Sequence, residues 1–124
     1  MSKRFDFVNQ SNTRHACEQG STFSAGIYIK DKYQNPVDLT GYTFKMHVRV
    51  TAATTGSPLL EISTANGYGT ITAATGKLSW TVPAAVTAAI TAGNYFYDLE
   101  ITSGGGLVTR IIEGKFDITA EVTR

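Results

Sequence analysis

A chain of 124 residues with 11 basic and 10 acidic side chains has the length of one ordinary domain and a net charge of only +1. That balance argues against nucleic acid as a partner, because phosphate contacts need clustered Lys and Arg, and Lys3, Arg4 and Arg14 form only a thin basic sprinkle. The single cysteine, Cys17, excludes an internal disulfide and suits a reducing compartment, and no stretch nears the roughly 20 apolar residues of a membrane span.

The N-terminus has the positive start of a signal peptide but no apolar run after it, so export by that route is not expected. Phe5-Asp6-Phe7-Val8 reads as a short strand. From Thr22 to Lys30, Phe23, Ala25, Ile27 and Ile29 alternate with smaller or polar residues, the period of a strand with one buried face. Asp31 to Pro36 is a polar turn, with Pro36 unable to continue a ladder. Tyr42 to Val50 is the clearest strand: Tyr42, Phe44, Met46, Val48 and Val50 point inward, and Thr43, Lys45, His47 and Arg49 outward.

Residues 51–58 read as a loop, Leu59 to Ser63 and Gly69 to Thr72 as short strands, and Ala74 to Lys77 as a tight turn. Leu78, Trp80 and Val82 form the inner face of the next strand. Pro83 to Ile90 then breaks the alternation. It is rich in helix formers, opens on a proline suited to a first turn and stops near Gly93, which predicts one short helix near residues 83–91 crossing between sheets. Val86 and Ile90, four apart, would plug one end of the core.

Tyr95, Tyr97, Leu99 and Ile101 face inward from Asn94 to Ile101, with Asp98 and Glu100 outside. Ser103-Gly104-Gly105-Gly106 predicts a hairpin into Leu107 to Glu113, because glycine supplies the positive φ of tight turns. Phe116, Ile118, Ala120 and Val122 close the pattern. Many short strands with frequent turn signals predict an all-β sandwich or barrel.

The chain is poor in groups for catalysis. His15-Ala16-Cys17 brings together two ligand types but has no second pair to complete a zinc site. Cys17 as a nucleophile lacks an orienting acid beside His15. His47, between Lys45 and Arg49, reads as a solvated surface histidine. Asp98, Glu100, Asp117 and Glu121 read as surface charge that keeps sheet edges soluble. Gly67-Tyr68-Gly69 and Gly104 to Gly106 precede no helix and lack the Lys-Ser/Thr of a phosphate loop. No catalytic, cofactor-binding or metal residue is therefore assigned, and the chain is expected not to be an enzyme. Tyr28, Tyr33, Tyr68 and Phe96 are the candidates for an exposed contact surface.

Asn35-Pro36-Val37-Asp38-Leu39-Thr40-Gly41-Tyr42 and the strand after it resemble the G-N-P-x-D-L-T-G hairpin of small phage and prophage virion proteins. These are similar to the immunoglobulin-like N-terminal domain of upper-baseplate proteins from long-tailed phages. Thr87-Ala88-Ala89-Ile90-Thr91-Ala92-Gly93-Asn94-Tyr95-Phe96-Tyr97-Asp98-Leu99-Glu100 resembles the family's T-A-A-L-x-x-G-x-Y-x-Y-D-L-E, and Val108 to Gly114 and Glu121 to Arg124 follow the same way. The likeness runs from Thr22 onward and includes Arg4 to Val8, with Asn9 to Glu18 standing as an insertion.

The resemblance implies an immunoglobulin-like antiparallel β-sandwich over residues 21–124, preceded by an N-terminal arm, residues 1–20, that carries the insertion. It implies a non-enzymatic virion structural protein of the tail, baseplate or fibre-attachment region. Such a protein is made in the host bacterial cytoplasm, carries no cofactor, and assembles with other virion proteins and with further copies of itself, without nucleic acid or membrane. Met1 to Glu18 and Glu121 to Arg124 would be lacing segments, so a chain lacking residues 1–18 is expected to fold without assembling. A capsid decoration protein is the near alternative. A module binding host-surface glycans through Tyr28, Tyr33, Tyr68 or Phe96 is the alternative of another class.

Overall fold

The computed structural model describes residues 3–7, 9–10, 13–14, 16–51 and 56–122. The strands in chain order are β1 (Lys3–Arg4), β2 (Asn9–Gln10), β3 (Thr13–Arg14), β4 (Cys17–Glu18), β5 (Phe23–Tyr28) and β6 (Thr43–Arg49). After these come β7 (Leu60–Ser63), β8 (Gly69–Thr72), β9 (Lys77–Val82), helix α1 (Ala84–Ala88), β10 (Gly93–Thr102) and β11 (Val108–Thr119).

The alternation read from sequence builds two facing sheets. The larger runs β1-β11-β10-β6-β7, with β4 also on β11, and the smaller runs β5-β9-β8. The β11-β10-β6-β7 and β5-β9-β8 ladders are antiparallel, and α1 carries the chain from β9 in the small sheet to β10 in the large one. This is an all-β sandwich of the immunoglobulin type, as expected. It also carries that fold's tyrosine corner: near the start of β10, the Tyr95 hydroxyl donates back to the carbonyl of Thr91 at 2.7 Å. The Tyr95 ring lies over Gly93, where an added Cβ would sit 3.1 Å from its hydroxyl oxygen. Tyr95 is therefore half-buried and tied to the corner, not simply an inward core residue.

Between the sheets lie Phe44, Met46, Val48, Leu78, Trp80, Val82, Leu99, Phe116 and Ile118, all buried. The Asp38-Leu39-Thr40-Gly41 corner feeds this core. The Asp38 carboxylate accepts from the Thr40 amide at 3.0 Å and its hydroxyl at 2.7 Å, Leu39 is buried, and Gly41 turns at φ +81°. Those hydrogen bonds hold the Asp38 carboxyl below its ordinary range.

Two expectations need correction at the strand ends. Val50 is 51% exposed, because β6 stops at Arg49. The last strand stops at Thr119, leaving Ala120 exposed and Val122 92% exposed. Of the helical pair, Ile90 is buried and Val86 packs partly against the core, but the deepest α1 residue is Thr87.

The larger correction concerns the N-terminus. Residues 3–7 are not an arm outside the domain. β1 pairs in parallel with β11, the Phe5 and Phe7 amides donate to Glu113 and Lys115 at 2.9 and 2.8 Å, and Asp117 donates to Phe7 at 2.8 Å. Phe7 is buried with edge-on contacts to Phe23, Trp80 and Tyr97 and a tilted contact with Phe116. Cys17, on β4, is fully buried beside Ile118. A boundary at residue 20 cuts through the larger sheet and the core, so removing residues 1–18 is expected to disturb the fold itself. The physical reason is that β11 needs a partner on its outer edge, and this segment supplies it.

Candidate functional site

The outer face of the larger sheet holds the densest grouping of chemistry-bearing side chains. Register sets them in rows across the strands. Lys115, Phe96 and Arg49 form one row; Glu113, Asp98, His47 and Glu61 form the next; Arg110, Glu100, Lys45 and Ser63 form a third. A bulge at Leu99/Glu100 shifts the register on β11 and brings Arg110 opposite Glu100. Between these rows is a depression of about 380 Å³ lined by Arg49, Phe96, Asp98, Glu100, Arg110 and Glu113, among others.

Most of the polar groups there bond one another. Ser63 donates its hydroxyl proton to Glu61 at 2.9 Å, and the other Glu61 oxygen lies 3.0 Å from His47 Nε2. Arg49 Nη2 lies 3.2 Å from His47 Nδ1, and Arg49 Nη1 donates to the carbonyl of Gly56 at 2.7 Å. A guanidinium cannot accept a hydrogen bond. Nδ1 is therefore the acceptor, and Nε2–H donates to Glu61. The Ser63 hydrogen bond, and then that of His47, hold the Glu61 carboxyl below its ordinary range. Arg110 pairs with Asp98 at 3.3 Å and with Glu113 at 3.4 Å.

The chemistry this permits is narrow. Both ring nitrogens of His47 are engaged, so neither offers a base toward the depression. Ser63 meets the carboxylate instead of the imidazole, the reverse of the nucleophile–base contact that acyl transfer needs. The arrangement suits a rigid, cross-linked strand surface.

His47 is thus a site residue whose expected setting changes: it is half-buried in an ordered hydrogen-bonded chain instead of fully solvated. His15 lies outside the described residues. Cys17 is buried, and desolvation pushes its thiol up to about 11, far from a reactive thiolate. Asp117 accepts from Asn94 at 3.0 Å, and the Glu121 carboxylate lies against Gly20 while its amide donates to Gln19 at 3.0 Å. Among the described residues no group of His, Cys, Asp and Glu has the arrangement of a metal site.

The aromatic candidates separate. Tyr28, Tyr33 and Phe96 are exposed, and Tyr68 packs partly against the core. Tyr28 lies on the small sheet with Lys77 Nζ 5.6 Å from its ring centroid, whereas Phe96 lies on the outer face of the large sheet. They do not share one stacking platform.

Sequence reading missed Thr87. Its hydroxyl accepts from the Gly20 amide at 3.0 Å and lies 2.8 Å from the carbonyl of Ser21 and 3.1 Å from that of Ala84. It pins the turn from β4 to β5 against α1. Only its place one position after Val86 on the helix hinted at burial. No protein-family model matches this chain, and no curated protein matches it either.

Proposed function

We propose that this chain is a non-enzymatic structural protein of a bacteriophage particle, placed in the tail, baseplate or fibre-attachment region in symmetric copies alongside other virion proteins. The observation that carries the reading is the likeness of the Asn35–Tyr42 corner and the Thr87–Glu100 segment to those of phage virion proteins. Its support in the fold is that both segments are corner elements of an immunoglobulin-type sandwich, Leu39 anchoring one and Tyr95 the other. The outer-face side chains are spent on holding strands together, which suits a building block.

Mass spectrometry of gradient-purified particles, counting this protein against the major capsid protein, tests the proposal. A low copy number in a multiple of three or six supports a place on the tail axis. Near-parity with the capsid protein makes it a shell decoration, and absence from clean particles overturns the virion role. A glycan-binding reading has less support, because Tyr28 and Phe96 lie on different sheets.

A further inference from the structure

We infer that β5 is a self-pairing edge, through which two copies of this chain join their small sheets across a two-fold axis at Gly26. The inference deepens the symmetric-copies part of the function proposed above and rests on it.

Among the described residues β5 is hydrogen-bonded on one side only. Its ladder partner is β9, and no described strand takes the other side. Ile29, just past the strand, donates to the carbonyl of Gly76 at 2.7 Å and accepts from the Val37 amide at 3.0 Å. In an antiparallel ladder the backbone groups alternate in direction, so Phe23, Ala25 and Ile27 share that orientation toward β9. Ser24, Gly26 and Tyr28 therefore turn their N–H and C=O groups away from it, and only another extended strand can match such a row. A hollow of about 250 Å³, with Glu18 and Ser24 among its lining residues, separates the neighbouring 16–18 segment from the start of this strand.

The other edges are managed. β11 is covered along its second half by β1, Phe7 and β4, and its open first half carries Arg110. β7 and β8 are four residues each, and β7 carries Glu61. Phe23 to Tyr28 has no charge, no proline and no bulge, the usual devices against strand addition.

The side chains specify a second copy as the occupant. With Gly26 opposite the partner's Gly26, Ser24 faces the partner's Tyr28 and Ala25 faces the partner's Ile27. A large exposed ring then lies over a small residue on both sides of the axis. The half-buried Ala25 and Ile27 continue the apolar inner face from one sheet into the next. β5 itself carries no charge, while Lys77 of β9 lies over the Tyr28 ring, its Cε 3.4 Å from where a Cβ on Gly26 would sit. Glycine at the axis puts no side chain of β5 itself between the two backbones.

Sedimentation velocity on the full chain over a concentration series tests this, with three samples besides the wild type. One is Ser24→Lys with Tyr28→Lys, one is Ser24→Asp with Tyr28→Asp, and the last is their equimolar mixture. The wild type is expected at twice the chain mass and each double variant at the single mass, because like charges then meet at both pairs. The mixture regains the double mass, since each Lys now faces an Asp. Circular dichroism confirms that the variants fold. A wild type that stays monomeric, double variants that still dimerise, or a mixture that does not, each overturns the proposed edge. Particle composition is read separately, so a monomeric chain that is found in virions overturns this inference and leaves the virion role standing.

Discussion

The Tyr97 hydroxyl donates to the carbonyl of Phe5 at 2.5 Å, across 92 positions of sequence. The contact exists because Gly114, opposite Tyr97 in the β10–β11 register, has no Cβ where the Phe5 carbonyl lies. One glycine thus lets the N-terminal segment settle on β11, and one tyrosine ties it there.

Removing residues 3–7, or changing Phe7 to Ala, is therefore a core lesion. Phe7→Ala is expected to cost about 3–5 kcal/mol, the usual range for losing a buried aromatic ring. Tyr97→Phe, which loses one hydrogen bond, should cost about 1 kcal/mol. Urea unfolding followed by tryptophan fluorescence reports both, since Trp80 lies against Phe7. A Phe7→Ala midpoint equal to that of the wild type contradicts the N-terminal segment's place in the core.

Gly114→Ala should be worse than an ordinary glycine-to-alanine change in a strand. Such a change normally gains strand stability by restricting the unfolded chain. Here the new Cβ meets backbone of Phe5, which cannot swing aside as a side-chain tip would. A net loss of about 1–3 kcal/mol is expected from overpacking. Gly105→Ala, where the nearest atom is 3.9 Å away, is the matched control and should lie near zero. Thermal unfolding of the two variants side by side decides it.

Thr87→Val keeps the shape of the side chain and removes its hydroxyl. The Gly20 amide then loses its acceptor in a partly buried setting, which costs about 1–3 kcal/mol. Amide exchange should quicken at Gly20 and Ser21 before it does in β9 or β10. A variant with unchanged exchange at that turn removes the hydroxyl from any structural role.

The pH dependence has two arms. Cys17 is held up to about 11 in the folded state against 9.0 ordinarily, so the unfolded chain releases its proton first. Stability from this group is full below pH 9 and falls as the pH rises from there through 11, by about 3 kcal/mol for a two-unit shift. Cys17→Ala should flatten that alkaline arm. On the acid side Glu61 is held low, so its contribution is present above the ordinary carboxylate range and is lost as the pH falls through its folded value. Glu61→Gln should reduce the acid slope. Denaturant midpoints across pH read both arms, and an alkaline arm unchanged by Cys17→Ala contradicts the buried thiol.

Alternation along single strands was readable from residue order alone, and it identified the inward faces of β6, β9 and β10. Phe44, Met46 and Val48, and Leu78, Trp80 and Val82, are buried as their period of two demanded. The short helix was equally legible, because a proline start is a local demand. The candidate site was not. His47 was read from its strand neighbours Lys45 and Arg49, while its setting depends on Glu61, which faces it from β7.

Residue order by itself determined the strands, the turns and one short helix, each set by contacts within a few positions along the chain, and with them an all-β class, sandwich or barrel. Only the tertiary structure decided that Phe7 and Cys17 belong to the core, that Thr87 locks the β4–β5 turn, and that no described strand lies on the outer edge of β5. Those facts depend on which strand lies beside which. Neighbours dozens of residues apart in sequence set burial and hydrogen bonding there, and a period of two in one segment carries no information about its partner.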